Sequence, residues 1–158
     1  MKLVENVGAG AVRVAEEVAR GPILMAERLK ARVAAGDLAG AYRVLQELPT
    51  EVRVRIVDFH AEATSDKQLM GWHLNGRVSA VLGTHTHVAT ADERILPGGT
   101  AFQCDVGMTG PFDSILGRDI ERVMLTTITF RPTYFEVAKH DLRLGGTIVE
   151  VDPATGRA

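Results

Sequence analysis

Three histidines stand where chemistry can gather. His60 closes the stretch V-R-I-V-D-F-H that opens at Val54, and His85 and His87 close V-L-G-T-H-T-H, which opens at Val81. Neutral imidazole is the commonest protein ligand for transition metals, so apolar runs that each end in histidine point to a metal site. If the backbone there is extended, residues two apart share a face, and His85 and His87 can converge on one centre or on two neighbouring ones. Gly83, just before them, permits a close backbone turn. Asp58 stands two before His60 and can orient its ring as a supporting carboxylate. His73 and His140 read as ordinary surface or hydrogen-bonded imidazoles.

Imidazoles alone do not make a two-metal hydrolase, which also needs carboxylates to bridge and neutralise the ions. Glu5, Glu62, Asp92, Glu93 and Asp105 are candidates, and spacing selects none of them. The small-residue run V-G-A-G at Val7 to Gly10 lacks the lysine of a P-loop, so it does not read as a phosphate cradle. Cys104 follows Phe102 at strand spacing and reads as a buried structural thiol.

Elements that can position these residues follow from periodicity. Residues 1–48 are alanine-rich and read as helical. Val14, Ala15 and Val18 form one stripe, Met25, Leu29 and Val33 a second, and Leu38, Tyr42, Leu45 and Leu48 a third behind Asp37 as N-cap. After Pro49, Val52, Val54 and Ile56 alternate with charged residues and lead into Val57, a strand entering a covered sheet. Ala61 to Trp72 reads as a helix, with Ala63, Leu69 and Met70 for apolar contact and Lys67 on a solvated face. Val78 to Leu82 reads as a second buried strand. Arg94–Leu96 and Thr100–Cys104 flank Pro97-Gly98-Gly99 as a hairpin. Asp105 to Gly117 reads as a glycine-rich loop. Further strands are expected at Tyr134–Val137, Leu142–Leu144 and Thr147–Val151, the last two joined by a turn at Gly145-Gly146.

A chain of 158 residues with 46% hydrophobic and 24% charged residues is long enough for one core-bearing domain. A net charge of −2 gives no global basic field for nucleic acid or membrane. No apolar run reaches the roughly 18 residues of a membrane-spanning helix, and Glu5, Arg13, Glu16 and Glu17 do not suit a signal peptide. With one cysteine there is no intrachain disulfide, which fits a reducing compartment. A cytoplasmic protein without a membrane partner is expected.

D-F-H-A-E-A-T-S-D-K-Q (Asp58 to Gln68), G-R-V-S-A-V-L-G-T-H-T-H-V-A-T-A-D-E-R-I-L-P (Gly76 to Pro97) and D-V-G-M-T-G-P (Asp105 to Pro111) resemble the YmdB-like bacterial metallophosphoesterases. These belong to the calcineurin-like superfamily and include cyclic-nucleotide phosphodiesterases. The resemblance runs from about Leu45 to the end. It implies an α/β fold, a metallophosphoesterase-type sheet with flanking helices, lacking part of the N-terminal half. It implies a single domain in which residues 1–48 form a divergent helical segment and 49–158 the family-like core. It also implies metal-ligand roles for His60, His85 and His87 at a dinuclear centre of divalent metal, iron or manganese. The D-V-G-M-T-G-P loop would lie beside that centre, with Thr109 and Gly110 offered to the substrate phosphate. The family's opening aspartate strand and its Gly-Asn-His segment have no counterpart here. Glu5-Asn6 carries only a faint likeness to the family's glutamate-asparagine segment.

The function so implied is metal-dependent hydrolysis of a small-molecule phosphodiester or cyclic nucleotide, impaired if the metal site is incomplete. The alternative is a non-catalytic metal-binding or regulatory interaction module. Exposed strand edges in a sheet lacking its first half would favour a homo-oligomer or a completing partner chain.

Overall fold

The computed structural model describes residues 2–3 and 38–158. The helical stripes expected before Leu38, the Asp37 cap and Glu5 lie outside the described residues.

The central element is a four-stranded sheet built from β2 (Ile56–His60), β3 (Ala80–Thr84), β4 (Arg94–Ile95) and β5 (Ala101–Gln103), in the order β2-β3-β5-β4. β2, β3 and β5 run parallel, and β4 returns antiparallel beside β5 as the expected hairpin. The first two parallel strands begin further along the chain than periodicity suggests: β2 at Ile56 and β3 at Ala80. The reason is pairing. Arg55 is joined to Ser79 and Ala80 by loop hydrogen bonds, and the ladder starts only after them, with Ile56 opposite Ala80. The shift carries the ladder out to His60, which pairs with Thr84.

Helix α1 (Leu38–Glu47) presents Leu38 and Leu45 of the expected stripe to the core, but Ala41 is buried in place of Tyr42, which is exposed. Helix α2 (Thr64–His73) starts later than expected and buries Lys67, Met70 and Gly71. Leu69 and Ala63 face solvent instead, while Leu74 just past the helix is buried. Gly71 is required by packing, since a Cβ there would stand 2.4 Å from the Phe102 ring. The core gathers Phe59, Ala61, Met70, Leu74, Val78, Val81, Leu96, Phe102 and Cys104 between the sheet and the helices. Each fully buried large side chain among them contributes about 1.5–3 kcal/mol.

The expected solvated face of Lys67 is a correction. Lys67 is buried because it meets Asp105 in an ion pair of 2.9 Å. An unpaired ammonium would be costly there, and helical periodicity cannot see a partner 38 residues away.

The C-terminal part departs most from its pattern. Helix α3 (Ile120–Thr129) stands where no element was expected, because Thr126, Thr127, Ile128 and Thr129 are β-branched and have modest helix propensity. The overlooked signal is Asp119, whose carboxylate accepts from the Arg122 backbone N–H at 3.0 Å as an N-cap. Tyr134–Val137 is not a strand; Val137 makes only an isolated bridge to Arg118. Gly145-Gly146 does not fold one strand onto the next. β7 (Leu142–Arg143) pairs with β6 (Gly110–Pro111), and β8 (Thr147–Ile148) pairs with β1 (Lys2–Leu3). No described helix is long and apolar enough to cross a membrane.

Candidate metal centre at the strand ends

His60 is the last residue of β2, and His85 follows the last residue of β3, so adjacent parallel strands deliver both rings to the same sheet edge. Ligands of open α/β sheets collect at this carboxyl edge. The His60 Nε2 and His85 Nδ1 atoms face one another at 3.1 Å, with ring centroids 4.9 Å apart in an edge-on arrangement. Behind them, His60 Nδ1 lies 3.0 Å from the Thr84 hydroxyl, which donates to Asp58 Oδ1 at 3.1 Å. A hydroxyl whose proton goes to a carboxylate has lone pairs left, so it accepts from His60 Nδ1–H. That leaves the Nε2 lone pair directed at His85. Asp58 thus reaches the imidazole through Thr84 rather than directly. The parallel register, which sets Thr84 opposite His60, makes this possible.

The His85-Thr86-His87 corner is not extended, which removes the condition for both rings to share a face. His85 has φ of 132° and His87 φ of 66°, both in the region that L-residues seldom adopt. Such residues cost about 1–3 kcal/mol each and persist only where their surroundings hold them. The holding contacts come from the glycine-rich loop. Asp105 Oδ2 accepts from the Thr86 backbone N–H at 2.8 Å, and the His87 carbonyl accepts from the Met108 N–H at 3.2 Å. Ala89 bridges to Val106, and Thr90 binds the Asp105 backbone on both sides. The loop that begins at Asp105 therefore packs beside the histidine corner.

Asp105 organises this region. Besides Thr86, its carboxylate accepts from Lys67 Nζ at 2.9 Å and, through Oδ1, from the Gly107 N–H at 2.9 Å. Burial pushes this carboxyl up, but the hydrogen bonds from Lys67, Thr86 and Gly107 outweigh it and hold it below the usual carboxylate range. Asp92 accepts from the Cys104 N–H at 3.1 Å. Its carboxyl is likewise lowered: burial raises it, and hydrogen bonds from Cys104 and Thr90 overcome that. Cys104 is buried, and burial with the neighbouring Asp92 raises its thiol to about 11, so it behaves as a small hydrophobe.

Other expected residues stand apart. The Thr109 hydroxyl is engaged with both the carbonyl and the N–H of Gly145, and Gly110 lies in β6 opposite Arg143. Glu62 is exposed, and Glu93 keeps one carboxylate oxygen buried without a hydrogen-bond partner among the described residues. Among the described residues, no group of three or more His, Cys, Asp or Glu side chains stands close enough to hold an ion. Lys67 and Thr84 are the residues that sequence reasoning missed. Thr84 lay in plain view inside G-T-H-T-H, but its role depends on strand register.

The His60–His85 pair fits an ion. Two nitrogens bound to one metal at about 2.0–2.1 Å stand about 2.9–3.4 Å apart for bond angles of roughly 90–110°. The observed 3.1 Å falls within that interval. The pair supplies two neutral donors and no charge.

The chain is similar to several known proteins. The 2',3'-cyclic-nucleotide 2'-phosphodiesterase of Bacillus subtilis is 45% identical over 144 residues, covering 89% of this chain and 54% of the relative. The chain spans about half the length of the curated relatives it matches. A crystal structure of a hypothetical protein from Thermus thermophilus aligns with TM-score 0.60 and 45% identity, over 65% of this chain and 40% of that one. A crystal structure described as a novel phosphatase of Mycoplasma pneumoniae aligns with TM-score 0.59 and 38% identity, over 65% and 36% of the two chains. The model of the family described as YmdB-like protein matches residues 6–158, so the likeness reaches well before Leu45. This chain belongs to the YmdB-like protein family.

Proposed function

We propose that this chain carries the histidine-bearing part of a metal-dependent phosphodiesterase site that acts on cyclic nucleotides or related small phosphodiesters. The observation that carries the reading is the 3.1 Å approach of His60 Nε2 and His85 Nδ1 at the ends of adjacent parallel strands. The name of the Bacillus subtilis relative supports the substrate class. A divalent ion, iron or manganese, would supply Lewis acidity, lowering the pKa of a water and polarising a phosphoryl oxygen.

The chain's own residues do the rest. His60 and His85 hold the first ion, and the Asp58–Thr84 relay keeps the His60 proton on Nδ1 so that Nε2 stays a donor. His87, at the far side of the corner, is assigned to the second ion. Thr109 and Gly110 are assigned to the phosphate, which must compete with Gly145 for the Thr109 hydroxyl. Two neutral imidazoles leave an ion's charge unbalanced, and two such ions close together repel strongly without a carboxylate between them. Among the described residues no carboxylate joins the pair in a group that could hold an ion, so these residues alone would hold at most one ion tightly, with weak turnover. That shortage favours a second reading, a metal-binding module without catalysis. Among the described residues β2 is the terminal strand of the four-stranded sheet, which supports association with another chain along that edge.

The test is calorimetric titration with Mn2+ and Fe2+, paired with hydrolysis of a 2',3'-cyclic nucleotide, for the native protein and His60→Ala. Binding and turnover that both vanish in the variant select the enzyme. Binding without turnover selects the module, and no binding to the native protein defeats both readings.

A further inference from the structure

The metal chemistry makes no use of a buried lysine. Yet Lys67 and Asp105 form an ion pair almost closed to solvent, 3% and 1% exposed at their side chains. Removing two charges from water is expensive, and apolar residues of the same volume often serve stability as well or better. The pair therefore invites a local explanation, and its hydrogen bonds supply one.

We propose that Lys67 and Asp105 are positioning residues that hold the His85-Thr86-His87 corner in the conformation that aims His85 at His60. The metal consequence of this proposal rests on the function proposed above. Asp105 is the junction. One carboxylate oxygen accepts from Lys67 on α2 and from the backbone of Thr86, between the two histidines, and the other accepts from Gly107. Its own backbone is fixed from both sides by Thr90. Lys67 is fixed in turn by α2, which packs through Met70 and Gly71 against the core and Phe102. Gly83 leaves room for the lysine stem, since a Cβ there would lie 3.0 Å from Lys67 Cδ. Core packing is thus relayed through Lys67 and Asp105 to a corner whose backbone would otherwise relax. The ammonium satisfies an oxygen that Thr86 alone leaves short of a countercharge. Without it, a buried carboxylate draws in water or turns outward, and the Thr86 hydrogen bond is lost.

Lys67→Met keeps the stem and removes the charge; Asp105→Asn keeps the shape and one acceptor oxygen. Both are compared with the native protein by near-ultraviolet circular dichroism, by amide hydrogen exchange without metal, and by Mn2+ calorimetry. The expected result is a cooperatively folded variant in which Thr86 and Gly107 exchange faster while core amides such as that of Val81 do not. Mn2+ affinity falls about 10–100-fold, as when an outer-shell partner of a ligand is removed. Native exchange at Thr86 together with native Mn2+ affinity in Lys67→Met overturns the proposal and leaves the metal reading intact. If the native protein binds no Mn2+, the metal reading fails, and exchange at Thr86 alone sustains or overturns the positioning role. If both variants lose the folded state, the pair supports the whole core and the local role is overturned.

Discussion

The segment from β2 to Asp105 and the segment after Pro111 are built on different principles. In the first, five consecutive residues of β2 pair with five of β3, and Val81, Phe102, Gln103 and Asp105 are closed to solvent. In the second, α3 buries none of its residues, the strands are two residues long, and Phe130 and Tyr134 are 91% and 94% exposed. Resistance to local opening follows buried apolar contact and protected hydrogen bonds, and both are concentrated in the first segment. His60 and His85 stand at its edge. If His60 and His85 are the donors of the proposed site, their 3.1 Å separation is set by the more firmly packed of these two segments.

The sharpest way to break this contrast is a single methyl group at Gly83. A Cβ there would stand 1.7 Å from the Cys104 carbonyl oxygen, backbone against backbone, so β3 and the segment after β5 would have to separate. Gly83→Ala is expected to abolish the cooperative thermal transition, read by circular dichroism. A variant that melts cooperatively near the native temperature would show that the tight packing at β3 is not needed. Next in size is Phe102→Ala, which empties a site that meets Gly71 and faces the Arg94 guanidinium. It should cost about 3–5 kcal/mol in urea unfolding. A loss below about 1 kcal/mol would mean that Phe102 does not anchor the core.

The same contrast decides what was legible in the sequence. The parallel strands and the helix between them show because Val57, Val81, Phe102 and their neighbours repeat with the periods of strand and helix, and burial reinforces the pattern. His60 and His85 could be paired because both end such runs. The burial of Lys67 is not legible, because a lone lysine at a helical position reads as solvated and its partner is far along the chain. The role of Thr84 is not legible either, because no sequence pattern reveals strand register. In the C-terminal part the periodic signal is weak: Ile120, Val123, Met124 and Ile128 keep helical spacing, but the β-branched run after Leu125 argues for strand. Where no core imposes burial, propensity and periodicity disagree without an arbiter.

A smaller effect is expected from acid. The Asp105 carboxyl is held below its ordinary value, so the folded state binds fewer protons there than the unfolded state does. This contribution is complete above the unfolded carboxylate range near pH 4 and is lost as pH falls through the lower folded value. Native urea midpoints should therefore fall from about pH 4 downward, and Thr86 exchange should quicken over the same interval. Asp105→Asn should show a weaker acid dependence, with the remainder from Asp92, Asp141 and Asp152, whose carboxyls are also lowered. An identical acid profile in native protein and Asp105→Asn would remove Asp105 from the account.

The smallest effect is expected in α3. Ile128 is 67% exposed, and α3 buries no side chain, so its removal leaves no cavity. Serine and isoleucine have similar helix propensities, and the Asp119 cap is untouched by a change nine residues away. Ile128→Ser should therefore shift stability by no more than about 0.5 kcal/mol, the range of substitutions that touch nothing. The measurement is a urea transition at several protein concentrations, because it separates two ways of being wrong. A loss above about 1 kcal/mol that is independent of concentration would mean that α3 packs on its own chain. A loss that grows with concentration would mean that another copy covers the Ile128 face. In either case the second segment would owe its stability to burial, as the first does, and the division drawn between them would not hold.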